Sequence, residues 1–148
     1  MPIMVDGNNL LHRLPANRRS RGEVRRLTLA LARREGIRIT LVFDGPPPAG
    51  TPDQEALGGV KIVYSGRVSA DDTIIRRLPG RPRSADWVVV SADRGLLERA
   101  RRAGAKTRPL DQWIDKLMTA GPAETGSEQL SPDEVAEWEE YFAGGSED

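Results

Sequence analysis

Pro2-Ile3-Met4-Val5-Asp6-Gly7-Asn8-Asn9-Leu10-Leu11 is the stretch that decides the fold. The apolar run Ile3–Val5 has the near-continuous character of a strand covered on both faces, as in a parallel sheet. It ends in a carboxylate, Asp6, and Gly7 lets the chain turn away before Leu10 and Leu11 open a short helix or turn that ends near Pro15. An acid at the carboxyl end of such a strand sits on the rim where open α/β sheets bind their ligands.

The same pattern returns along the chain. Residues 37–43 form a strand rich in β-branched residues that runs into Asp44-Gly45. Residues 60–64 form a third strand, and Ser69 then caps a helix whose first turn carries Asp71 and Asp72, a position that also suits the helix dipole. Residues 86–91 form a fourth strand, followed by Ala92-Asp93 and an Arg-rich helix from about Gly95 to Ala103. A short strand at 105–108 and a helix at 110–118, with Trp113, Ile114 and Leu117 facing in, complete the series. Between the first two strands, Ser20-Arg21-Gly22-Glu23 reads as a capping box. The helix it opens turns Val24, Leu27 and Leu31 inward and closes on Gly36. Pro46 to Pro52 holds four prolines and is a loop.

Alternating strands and helices predict a three-layer α/β/α fold with a mostly parallel central sheet over residues 1–119. Residues 120–130 read as a linker. Ser131-Pro132-Asp133-Glu134 opens an acidic C-terminal helical tail over 131–148, with Val135, Trp138, Tyr141 and Phe142 on one face.

A chain of 148 residues suggests one domain with a little left over. It has no cysteine, which excludes disulfides and thiolate zinc sites, and a single histidine, His12, which excludes His-cluster metal sites. No apolar run approaches the roughly 20 residues of a membrane span, and no N-terminal signal-peptide layout is present. A cytoplasmic protein without membrane partners is therefore expected. There is no G-x-G-x-x-G and no Walker sequence, so no dinucleotide cofactor is expected. Asp6-Gly7-Asn8 also departs from the D-x-D of haloacid-dehalogenase-like phosphotransferases.

The net charge of zero conceals a strong asymmetry. Residues 1–110 carry 21 Lys and Arg against 11 Asp and Glu, an excess of ten positive charges, and residues 111–148 carry 1 against 11. A basic body with an acidic end suggests a polyanionic partner and a tail able to dock on its own body. The basic run Ala16–Arg21, with Arg18, Arg19 and Arg21, is either a solvated loop or a phosphate contact.

In a parallel sheet Asp6, Asp44 and Asp93 share the carboxyl edge, and Asp71 and Asp72 arrive there at a helix start. Crowded carboxylates repel one another and call for a cation. Oxygen-only ligands favour Mg²⁺ or Mn²⁺ over zinc. Such an ion beside basic surface suits phosphodiester hydrolysis, with Asn9 and Ser91 placed to hydrogen-bond the acids or the phosphate.

Asp6-Gly7-Asn8-Asn9 resembles the D-G-x-N signature of the NYN/PIN-like nuclease superfamily. Phe43-Asp44-Gly45, Ala70-Asp71-Asp72 and Ser91-Ala92-Asp93 follow in that superfamily's order. The resemblance spans residues 2–118 and is strongest to the bacterial YacP-like branch of PIN-domain RNA-binding proteins, which is similar to ribosome-associated endoribonucleases. Residues 130–138 also look like tails of that group. The resemblance implies an Mg²⁺- or Mn²⁺-dependent endoribonuclease acting on RNA, with the ribosome as a candidate partner. Asp6, Asp71, Asp72 and Asp93 would be the metal-site and catalytic acids, with Asp44 contributing and Asn9 assisting. Ser91, Arg18, Arg19, Arg21 and Arg94 would contact RNA. The variable signature position, often tyrosine in this branch, is Asn8 here. Competing expectations are an RNA-binding module of the same fold with little activity, and a phosphatase or 5′-nuclease on small substrates.

Overall fold

Six strands and five α-helices alternate in the computed structural model, which describes residues 2–125. They are β1 (Pro2–Asp6), α1 (Gly7–Arg13), α2 (Arg21–Glu35), β2 (Arg38–Phe43), β3 (Gln54–Leu57), β4 (Val60–Tyr64), α3 (Ala70–Arg77), β5 (Val88–Ser91), α4 (Arg94–Arg102), β6 (Lys106–Pro109) and α5 (Leu110–Thr125). The single sheet has the order β3-β4-β2-β1-β5-β6. All its pairings are parallel except that of β3 with β4.

Side-chain alternation sorts the core into two halves. Ile3 and Val5 of β1 point to one face, where Leu10, Leu14, Val24, Leu27, Leu31, Trp113 and Leu117 from α1, α2 and α5 cover the sheet. Met4 points to the other, where Ala70, Ile74, Leu96, Leu97 and Ala100 from α3 and α4 lie. The expected three-layer α/β/α arrangement is therefore present. By the same alternation Asp6 lies on the α3–α4 side of the sheet, at the carboxyl end of the strand flanked by β2 and β5.

The local signals act largely as their chemistry requires. Ser20 Oγ accepts from the Glu23 backbone N–H at 3.1 Å, and Gly36 closes α2 in the left-handed region at φ 65°. The Glu23 carboxylate does not complete the capping box, because it pairs with Arg26 at 3.2 and 3.1 Å.

Two elements differ from the sequence expectation. β3 forms a hairpin with β4 through Gly58-Gly59 in a segment with no β-branched residue. It is an edge strand held by backbone pairing, so a hydrophobic pattern does not declare it. α5 continues past Met118 to Thr125, so the start of the segment read as a linker is helical. The remainder of that segment and the acidic helix expected over 131–148 lie outside the described residues. Among the described residues no helix is long and apolar enough to cross a membrane.

Candidate carboxylate site at the sheet edge

Asp6 is 4 % exposed, the one carboxylate buried in the described core. It caps α1, with the Asn9 backbone N–H donating to Oδ1 at 3.2 Å. The next residue, Gly7, lies against Phe43 at the end of β2, and a Cβ there would stand 2.8 Å from the ring. The two asparagines then bind the two neighbouring strand ends. Asn8 Oδ1 accepts the backbone N–H of Asp44. Asn9 Oδ1 accepts the Ser91 hydroxyl and the Ala92 N–H, both at 3.1 Å. The signature thus acts as a hub: one residue carries the charge, one makes room, and two fasten the flanking loops.

Those loops carry the other acids. Asp44 Oδ1 accepts the Ala70 N–H at 3.0 Å, which fixes the start of α3. Asp93 caps α4, accepting from Gly95 and Leu96 at 2.8 and 3.2 Å, while its own N–H donates to Ser91 Oγ at 3.0 Å. In Asp44 and Asp93 these carboxylate bonds fall on Oδ1, which leaves Oδ2 for another ligand.

Asp6, Asp71 and Asp93 share one electrostatic environment. Burial pushes the Asp6 carboxyl above the usual carboxylate range; the N–H groups of Asn9 and Asn8 work against this, and the charges of Asp93 and Asp44 add to it. Burial also raises Asp71, followed by the charges of Asp93 and Asp6 and by its closeness to the Asp93 carboxyl, with Arg99 opposing. Asp72 is placed differently: its Oδ1 receives Arg99 Nη2 at 2.9 Å, in a pair with roughly half of each side chain exposed.

The expected RNA-contacting residues are also placed unevenly. Arg19 donates to the Leu14 carbonyl at 3.3 and 3.1 Å, and Arg18 stands 4.0 Å from Glu23, so both brace their own loop. Arg21 stacks over Phe43 and Tyr64, 5.0 and 5.7 Å from the ring centroids. Arg94 is exposed next to Asp93. Ser91 is fully buried, with its hydroxyl committed to Asn9 and Asp93. Asn8 and Arg99 are contributors that the sequence pattern leaves unmarked. For Arg99 the only sequence signal is its place on α4, a helix that packs beside α3.

The donor set suits a hard divalent cation: it is all oxygen, and the charge of Asp93 helps raise the proton affinity of both Asp6 and Asp71. Among the described residues, however, no three acidic side chains stand ready as a finished ligand set.

Acids from three parallel strand ends and one helix start, set between two helical layers, define a nuclease-family fold of the NYN/PIN-like kind. The chain belongs to the YacP-like NYN domain family, whose profile matches residues 3–125. Two solved structures of Rae1 (YacP) from Bacillus subtilis share the fold. One is 15% identical over 92% of this chain and 84% of that one, with a TM-score of 0.63. The other, of a tryptophan-to-leucine variant, is 18% identical over 95% and 89%, with a TM-score of 0.58. No curated protein sequence matches the chain.

Proposed function

We propose that the protein is an endoribonuclease that hydrolyses RNA phosphodiesters at this edge with the help of Mg²⁺ or Mn²⁺. The observation that carries the proposal is the convergence of acids on one sheet edge: Asp6 at the start of α1, Asp44 fastened to the start of α3, which carries Asp71, and Asp93 at the start of α4, with the charge of Asp93 felt by both Asp6 and Asp71. Family membership supports it. Asp6, Asp71 and Asp93 would hold the ion, with Asp44 at the margin. The ion would supply charge neutralisation at the phosphodiester and activation of the attacking water. Asn9 and Ser91 position the Asp93 loop. Asp72 holds Arg99, whose charge moderates Asp71. Arg18, Arg19, Arg21 and Arg94 contribute to a basic rim that attracts the RNA backbone. A cytoplasmic location and work on ribosome-bound RNA are part of the same proposal.

The test is cleavage of end-labelled RNA with Mn²⁺ by the wild type, Asp6→Asn and Asp93→Asn. Cutting by the wild type alone is expected. A wild type that cuts nothing, or variants that cut equally well, would overturn it. A second role, RNA binding with little catalysis, is favoured by the open arrangement of the acids. It predicts metal-independent RNA affinity without cleavage.

A further inference from the structure

Beside the aspartates, and separate from them, lies a cavity of about 760 Å³. Its floor is the end of two strands: Ala92 just past β5 and Pro109 at the end of β6. α4 supplies one wall through Arg94 and Arg101, and α1 and α5 supply the other through Arg13 and Asp111. The sheet order places it directly. The acids stand over β2, β1 and β5, and the cavity stands over β5 and β6, so both occupy one carboxyl edge with β5 in common. A chain that runs along that edge from the acids towards β6 passes over it. Its volume falls in the usual range of small-molecule clefts, about 300–1,000 Å³, enough for a nucleotide.

The charges of the cavity are loosely held. Arg13 meets Asp111 at 3.4 Å with side chains 54% and 80% exposed. Arg101 meets Glu98 at 3.7 Å with 57% and 53% exposed. Exposed pairs of this length are weak, so a phosphate displaces the acid at small cost. Arg94 has no partner among the described residues and stands next in sequence to Asp93. A guanidinium offers the paired donors that phosphate oxygens accept.

We infer that this cleft is a subsite for a single-stranded RNA nucleotide neighbouring the scissile position along the sheet edge. Arg94 and Arg101 grip its phosphate, Arg13 closes on it from the opposite wall, and Asp111 is the opposing charge that limits the grip. The inference rests on RNA being the substrate of the acid site. It adds a place of binding that the acids do not provide.

The test measures equilibrium binding of a labelled single-stranded oligoribonucleotide to full-length Asp6→Asn protein without metal, across a salt series. In that background Arg94→Ala and Arg101→Ala each weaken binding several-fold and lower the salt slope by about 0.7. Asp111→Asn strengthens binding, a gain that misfolding cannot imitate. Arg38→Ala and Lys61→Ala, at the start of β2 and β4 on the opposite edge, leave affinity close to that of the parent. Equal losses from both edges would reduce the effect to general attraction and overturn the subsite. RNA that binds with all cleft variants unchanged would also overturn it while leaving the acid site intact. No RNA binding by any protein would remove the proposed function together with it.

Discussion

Asn9 and Ser91 are 82 residues apart in sequence, yet Asn9 Oδ1 takes both the Ser91 hydroxyl and the next N–H, that of Ala92. The Ser91 oxygen in turn accepts the Asp93 N–H. One amide in the first turn of α1 therefore sets the position of an acid beyond β5. Asn9→Ala removes the acceptor of the buried Ser91 hydroxyl and of the Ala92 N–H. We expect a loss of about 1–3 kcal/mol in urea unfolding, with reduced cleavage. Asn8→Ala frees only the N–H of exposed Asp44 and should cost less. Equal costs for the two changes would show that the Asn9 bonds are not special.

Gly7 is required by space, since its φ is not in the left-handed region. A Cβ would lie 2.8–3.1 Å from three atoms of the buried Phe43 ring, which also packs on Tyr64. Gly7→Ala should destabilise by about 1–3 kcal/mol, as overpacking does. Phe43→Leu in the same protein should recover part of it, because the two positions are in contact and their effects are not additive. A double-mutant cycle with no coupling would place the strain elsewhere.

The sheet and its two helical layers were legible because apolar strand runs, Ser20, Ser69 and Gly36 all state local structure that the tertiary packing agrees with. The carboxyl-edge position of Asp6, Asp44 and Asp93 followed from strand direction alone. The distinction between Asp71 and Asp72 did not. Neighbouring residues on a helix point in different directions, and which one meets an arginine depends on how α4 packs beside α3. Nor do the arginines of Ala16–Arg21 reveal from sequence that two brace the loop and one lies over aromatic rings.

Asp6 makes stability depend on pH in a definite direction. Its carboxyl is raised above the ordinary value in the folded protein, so the folded state binds this proton more tightly than the unfolded chain does. Stability from this group is full at low pH and falls as pH rises from the ordinary carboxylate value through the raised one. Asp6→Asn keeps the N-cap oxygen and removes the charge. It should melt higher than the wild type at pH 7 without metal, with the difference shrinking as the medium is acidified below that window. Adding Mn²⁺ should raise the wild-type melting temperature, by about 2.7 kcal/mol of stability at 100 times the dissociation constant. It should raise that of Asp6→Asn much less. Identical shifts in both proteins would mean that the ion binds elsewhere.

Asp71 and Asp72 should separate in activity even though they are adjacent. Asp71 feels Asp93 and Asp6, whereas Asp72 is turned to Arg99 at 2.9 Å in a half-exposed pair. Losing such a pair costs at most about 1 kcal/mol, or roughly fivefold in rate if all of it reached the transition state. Removing a group that stabilises developing charge costs on the order of 100-fold or more. We therefore expect Asp71→Asn to abolish nearly all RNA cleavage and Asp72→Asn to leave most of it. Arg99→Ala tests the link between the two. Without Arg99 the Asp71 carboxyl rises further, so the acid limb of the pH–rate profile should move to higher pH. If Asp72→Asn proves as inactive as Asp71→Asn while still folding normally, the site includes both acids, and α3 or Arg99 must shift when RNA or metal binds.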